Sequence, residues 1–424
     1  MRHAGRLAIG ANADEFGIAM NVLLITNEFP NPYEPGKAVF NLAMARTLAR
    51  QHELRVVSPI SWTDEWSARR GGASRLNTRR CEMVDGIEVH YPRYYYPPRM
   101  LRSQYGWFFW NSIRATVREL RKLHRADVVL GYWAHPDGEA AVRAAREIGV
   151  PSVVIAAGSD VLVVTEDPWR RRRVARALQR ADAVVTVSEH LKEQIIKLGI
   201  DASKVHVWRR GVDSCFTPGN RAESRALLGI PPGPPMLLLV GRMVPVKGLD
   251  VLMEACQKVC QRGLAIRAYL LGDGPLRRVL EADRDARGLQ GVVHFVGSCK
   301  HDCLPAWYRA ADLTLLTSWS EGMPNVLCES LACGTPFIST DVGGVAELAA
   351  GHPDWLVEPG NADALATAIE RSLTCGLSRQ TQPQTIRWPE SADALIRIVE
   401  RLMDEPKNPA LVSEAISYGT IASR

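Results

Sequence analysis

Long apolar runs are missing from the 424-residue sequence: no stretch reaches the roughly 18 consecutive apolar residues that a membrane-spanning helix needs. The first 19 residues lack the apolar core of a signal peptide, and strand-like residues follow at once after Met20, so translation is expected to begin there and 1–19 to be an extension outside the fold. No C-x-x-C pair occurs among the nine cysteines, which excludes a zinc ribbon and argues against a disulfide framework. The two C-x3-C pairs, Cys256 with Cys260 and Cys299 with Cys303, carry too few neighbouring ligands for a metal site. Reduced thiols in the cytoplasm are expected, and no metal. There is no polybasic tail, and no recognition motif accompanies the 52 Lys and Arg, whose excess over 46 Asp and Glu is only +6, so nucleic acid is disfavoured. Such an excess suits an anionic ligand or surface.

The composition itself is that of a globular protein, with 46% hydrophobic and 23% charged residues. At about 150 residues per domain the length predicts two or three domains. Short runs of valine, leucine and isoleucine alternate with helical patterns, the mark of βαβ units around buried parallel sheets. The predicted strands are 22–26, 54–58, 128–131, 152–156 and 183–187 in the first half, and 236–240, 267–271, 292–296, 313–316 and 336–339 in the second. Both halves therefore read as doubly wound α/β sheets. The boundaries predicted are an N-terminal domain over 20–212, a C-terminal domain over 213–387, a helical segment 388–404 packing back on the first domain, and a tail over 405–424. The proline cluster at 229–235, inside the segment 219–235, is the expected hinge. Two such sheets can face their strand carboxyl ends across a cleft, where ligands bind.

One stretch is rich in chemistry. After strand 313–316 come Glu321, Gly322, Met323, Pro324, Asn325 and Val326, then Glu329, with Pro324 marking the first turn of a helix. A glycine beside a helix N-terminus lets a phosphate approach free amides. If both glutamates share that helix, eight residues give about 12 Å of rise, enough to reach hydroxyls at opposite ends of a nucleotide sugar. The competing reading is that Glu321 caps the helix and Glu329 is an exposed helical residue.

These residues, followed by Ala332, Gly334 and Pro336 and by the glycine pair Gly343 and Gly344, resemble the signature of the retaining glycosyltransferases of family 4, which have the GT-B fold: two Rossmann-like domains across a cleft. Gly241, Arg242, Lys247 and Gly248 match the segment in which, by this resemblance, arginine and lysine hold the donor diphosphate. Two fixed cations there would offset the charge on the leaving phosphate. Gly272 and Gly274 match a turn near the nucleotide, and Gly297 to Lys300 a loop near its base. Gly36, with Lys37 after it, stands in the first loop, and His135 in a segment that approaches the donor sugar. The turn Ala157, Gly158, Ser159 and Asp160 has alanine where a basic residue is expected, which puts a catalytic role for Asp160 in doubt. Arg210 replaces the family's asparagine before Gly211, Val212 and Asp213.

The resemblance, over about 20–404, implies a hexosyltransferase that uses a nucleotide-diphosphate sugar without a metal, in cell-surface or exopolysaccharide assembly. Its implied site comprises Glu321, Arg242, Lys247 and His135 for catalysis, with Gly36, Gly241, Gly272, Gly274, Gly322, Met323, Pro324, Asn325, Val326 and Glu329 on the donor. The alternatives are a non-catalytic sugar-nucleotide-binding subunit or an epimerase on the same fold. Tyr94 to Tyr96, Arg99, Arg102, Trp107 to Trp110 and Arg170 to Arg173 mix aromatic and basic residues. They suit contact with an anionic membrane, and hence a lipid-linked acceptor at the cytoplasmic leaflet, or equally a packed loop and a solvated helix face.

Overall fold

A computed structural model describes residues 19–72, 80–349, 351–375 and 385–404. The expected extension lies, but for its last residue, outside the described residues, as does the tail 405–424. The chain forms sixteen described strands. In the first lobe they are β1 (Asn21–Ile25), β2 (Glu53–Val57), β3 (Ile60–Ser61), β4 (Cys81–Val84), β5 (Ile87–His90), β6 (Arg93–Tyr94), β7 (Val128–Tyr132), β8 (Ser152–Ala156), β9 (Ala183–Thr186) and β10 (Val205–Val207). In the second they are β11 (Met236–Val240), β12 (Arg267–Leu271), β13 (Val293–Gly297), β14 (Leu313–Leu316), β15 (Phe337–Thr340) and β16 (Leu356–Val357).

The first sheet runs β10-β9-β8-β7-β1-β2-β5-β4 and the second β13-β12-β11-β14-β15-β16, with β3 and β6 pairing separately. Every pairing is parallel except the edge hairpin β4–β5. The central strands are apolar on both faces because helices cover both, as a parallel sheet requires: β7, β8, β9, β14 and β15 are buried throughout. In each sheet the strand order reverses once, between β7 and β1 and between β11 and β14. At such a switch point successive connections leave on opposite faces and open a crevice at the carboxyl ends of the strands. Two crevices thus receive the loops after β1 and β7, and after β11 and β14.

The ten predicted strands are all present, with ends shifted by no more than one residue. The hinge is elsewhere than predicted. Asn220 caps a helix over Arg221–Leu227, and Phe216 and Ile230 join the core of the second lobe, so 219–235 belongs wholly to that lobe. The proline cluster only ends this helix and leads into β11. The lobes are instead joined where the outgoing and returning chain meet. Val212 N donates to Ile386 O at 2.8 Å, Val212 bridges Arg387, and a side chain on Gly211 would run into Trp388. Beyond that crossing the helix Trp388–Asp404 lays Trp388, Leu395 and Val399 into the first lobe's core beside Leu48 and Trp208. Trp208 Nε1 donates to Ser391 O at 2.7 Å. No described helix is long and apolar enough to cross a membrane.

Candidate active site

At the second lobe's switch point the loops after β11 and β14 are sewn together. Trp319 N donates to Val246 O at 2.8 Å, and Thr317 Oγ1 donates to Lys247 O at 2.8 Å. The result brings Lys247 and Glu321 into direct contact: Nζ lies 2.6 Å from Oε1, and Ser318 Oγ donates to the same oxygen at 2.7 Å. Gly241 begins the first of these loops. Side chains on Gly272 and Gly274 would overlap the backbone of Gly241 and Met243, so both glycines are required by the packing of loop on loop. Arg242 is exposed and forms no ion pair among the described residues. It is close enough to the first lobe to act on Glu28: burial raises that carboxyl's pKa, while Lys37 and Arg242 oppose the rise and Glu34 adds to it. Arg242 thus lies within electrostatic range of the first lobe, while Lys247 is held against Glu321 inside the second.

Glu321 is not helical. The helix spans Asn325–Ala332 with Pro324 as its cap in an extended conformation, and no side chain caps it. The 12 Å helical rise therefore does not apply to the pair, and Glu321 does not cap the helix. Pro324 holds Met323 out of helical geometry, so the helix starts after it and Glu321, in the loop, turns toward Lys247. Glu329, one turn beyond Asn325, accepts from Tyr308 Oη at 2.9 Å and has His301 Nε2 3.7 Å away. Hydrogen bonding to Glu329 raises the pKa of His301 against the opposing effect of burial. Asn325, Glu329 and Met323 line a crevice open to solvent, with Phe40, His301 and the linker residues Arg209 to Asp213 on its other walls. Val326 turns toward the second lobe's core.

Gly322 meets the other lobe. A Cβ on it would overlap the Ala157 carbonyl oxygen, and one on Gly158 would lie 2.8 Å from Gly322 Cα. Gly158 has φ +141°, closed to L side chains in any case. Two backbones touch here with no side chain between them.

In the first lobe Gly36 sits on an exposed turn where a side chain would meet open space, before the helix Val39–Leu48. Lys37 Nζ lies 3.9 Å from Glu28 and 4.0 Å from Glu34. His135, in the turn after β7, is buried; its Nε2 donates to Arg102 O at 3.3 Å and its Nδ1 lies 3.4 Å from the Glu139 carboxylate. Among the described residues it bonds to nothing in the second lobe. Asp160 is a buried staple. Its Oδ2 accepts from Ala134 N at 2.8 Å, and its Oδ1 from Ala157 N at 3.1 Å and Gly158 N at 2.8 Å. It thereby locates both the His135 turn and the turn that meets Gly322.

Sequence reasoning missed three residues. Arg210 reaches Tyr132 Oη at 3.1 Å and Met323 O at 2.7 Å, linking the lobes beside the helix start. Its departure from the family's asparagine was the available signal. Tyr308 and His301, which surround Glu329, had none, since each is more than twenty residues away in the chain.

Residues 36–215 match the model described as Glycosyltransferase Family 4, and residues 234–375 that of Glycosyl transferases group 1. The Bacillus subtilis protein TuaC, named as a teichuronic acid biosynthesis glycosyltransferase, is 31% identical over 92% of this chain and 96% of its own. A D-inositol 3-phosphate glycosyltransferase of Mycolicibacterium smegmatis is 30% identical over 60% of each chain. Among solved structures, Anabaena HepE in complex with UDP-glucose aligns with TM-score 0.65 at 18% identity, covering 91% of this chain and 98% of its own. Sucrose-phosphate synthase of Thermosynechococcus elongatus aligns at 0.69 and 20% identity, covering 95% and 98%. These two show the GT-B fold, and the full-length likeness to TuaC with both family matches places the chain in glycosyltransferase family 4.

Proposed function

We propose that this glycosyltransferase moves a sugar, with retention of anomeric configuration, from a nucleoside-diphosphate sugar to a hydroxyl of a glycan or lipid-linked acceptor in the assembly of a cell-surface or extracellular polysaccharide. The observation that carries the reading is the Lys247–Glu321 pair at the switch point, beside an uncapped helix start. Arg242, Lys247 and the first-turn amides of the helix Asn325–Ala332 take the diphosphate, whose charge they meet without a metal. Gly241, Gly272, Gly274, Gly322, Met323, Pro324 and Val326 contribute backbone, and Gly36 allows approach from the first lobe. Glu321 and Asn325 face the sugar, Glu329 the ribose, and His135 approaches the sugar from across the cleft.

No carboxylate is assigned as a nucleophile. The anomeric bond to the diphosphate breaks as the acceptor oxygen bonds on the same face, and the departing phosphate oxygen takes the acceptor's proton. TuaC's name supports polysaccharide assembly, and the UDP and UDP-glucose complexes of HepE support a nucleotide-sugar donor. The acceptor is met at the inner face of the membrane. A panel of nucleotide sugars tests the proposal through nucleotide release and the product's anomeric configuration by NMR. One donor should give turnover with retained configuration. An inverted product refutes retention, and no release with any donor or acceptor refutes transfer.

A further inference from the structure

The first lobe exposes Trp66, Met100, Leu101, Trp107 and Trp169, each between 49% and 68% accessible. Single exposed hydrophobics are ordinary, but these five sit on segments bound to one another. Beside Trp66, the buried Glu65 takes the Arg93 guanidinium at 2.7 and 2.8 Å, and Arg93 reaches Tyr95 Oη at 3.0 Å. Trp62 Nε1 donates to Tyr96 O at 2.8 Å, and the Tyr96 ring packs 4.9 Å from that of Tyr105. Tyr105 Oη donates to Pro97 O and accepts from Arg99 N, both at 3.1 Å, clamping the turn that carries Met100 and Leu101. The helix Pro168–Arg180, with Trp169 in its first turn, packs on the turn Arg102–Gln104.

Arg99 and Leu101, neither a glycine, have φ of +65° and +50°, a conformation L side chains avoid, and the clamped turn holds Met100 and Leu101 outward in it. Positive charge predominates: the helix Pro168–Arg180 holds six arginines and no acid, against Asp167 at its cap and Asp64 on the helix that carries Trp66. Arg70 and Arg172 lie over the rings of Trp66 and Trp169, at 4.2 and 5.4 Å from their centroids. Aromatic rings with arginines beside them match the bilayer interface, where rings sit at headgroup depth and guanidinium groups meet lipid phosphate. A second copy of the chain would set the arginine-rich helix against its own charge across an isologous contact.

We propose that this face docks on an anionic lipid bilayer, with Met100, Leu101 and the tryptophans in the headgroup layer. This deepens the transfer reading and rests on it for its purpose. His135 Nε2 donates to the carbonyl of Arg102 at the end of the docking turn, so the face borders the cleft and a lipid-borne acceptor reaches it at its rim.

Flotation with vesicles of phosphatidylcholine, alone or with about one-third phosphatidylglycerol, tests the proposal. The wild type should float with the anionic vesicles at about 0.1 M salt, be released near about 0.5 M, and ignore the neutral ones. Its tryptophan emission should shift to the blue on anionic vesicles alone. The triple variant M100E/L101E/W169E should bind at least about tenfold more weakly, while releasing nucleotide from the donor at the wild-type rate. Failure of the wild type to float, equal binding by the variant, or a dimer that the variant abolishes overturns the docking face. Vesicle binding without turnover of any donor overturns the transfer reading alone.

Discussion

Replacing Lys247 with methionine removes one charge and keeps most of the side chain's apolar stem. Lys247 and Glu321 are 22% and 13% exposed, so their contact stands between a solvated ion pair, which contributes about 0–1 kcal/mol, and a buried one, whose breakage costs about 3–5 kcal/mol. Ser318 Oγ still donates to Glu321 Oε1 in the variant, which limits the loss to about 2 kcal/mol, or about 4–8 °C in Tm for a domain of this size. The catalytic loss should be larger. Deleting one preorganised positive group from a developing phosphate charge lowers kcat/KM by about 100- to 1,000-fold, or about 2.7–4 kcal/mol. The assay is nucleotide release under subsaturating donor, paired with thermal melting of Lys247→Met, Glu321→Gln and the double variant. If the two residues act as a unit, the double variant should be little worse than Lys247→Met alone. A variant that melts several degrees lower yet keeps kcat/KM within about threefold of wild type would falsify the diphosphate role and leave the pair purely structural.

Gly322→Ala forces the lobes apart, because the added methyl overlaps the Ala157 carbonyl oxygen; kcat/KM should fall about 100-fold with only a small change in Tm, and small-angle scattering should show a larger radius of gyration. An unchanged rate would mean that the lobes do not meet at this point during turnover. His301 is raised above its ordinary pKa of 6.5 by its hydrogen bond to Glu329, so the stability it contributes is fully present below pH 6.5 and is lost as the pH rises through the folded-state value. The Tm difference between wild type and His301→Gln should therefore be larger at pH 6 than at pH 8.5, on top of a pH-independent loss of ring packing against Phe216; a constant difference contradicts the pairing.

The strands that build both crevices were legible because each is a short, wholly apolar run, which only a sheet covered on both faces accommodates. The edge hairpin was not. Its strands, Cys81–Val84 and Ile87–His90, carry Glu82, Glu88 and His90 between apolar residues, too brief an alternation to stand out before Asp85 and Gly86 are seen to turn the chain with positive φ. Lys247 and Glu321 could be named from their motifs, but not their contact across 74 residues. The eight-residue spacing of Glu321 and Glu329 invited a single helix, and only the extended cap at Pro324 shows that the first glutamate precedes it. Asp160 was discounted because Ala157 stands where a basic residue was expected. Its three bonds from Ala134, Ala157 and Gly158 are all to backbone N–H groups, so they do not depend on the side chain at 157.

The contact of Gly158 with Gly322 bears on how the cleft closes. Each turn is fixed within its own lobe: Asp160 holds Ala157 and Gly158 from beneath, while Gly344 N donates to Gly322 O at 2.9 Å, and a side chain on Gly343 would overlap Glu321 O. Neither turn needs the other to keep its shape, so they meet as preformed surfaces, flanked by side chains: Met323 is buried in a first-lobe cluster, and His190 N donates to the Glu347 carboxylate at 3.2 Å. The lobes are joined covalently through the crossing segments at 209–213 and 385–388. There Gly211 leaves no room for a side chain against Trp388, and Arg210 spans from Tyr132 in one lobe to the Met323 carbonyl in the other. The Met323 carbonyl that Arg210 holds and the Gly322 that meets Gly158 are consecutive residues of the second lobe. Any rigid-body opening of the lobes therefore has to break both contacts together, along with the bond from His190 to Glu347.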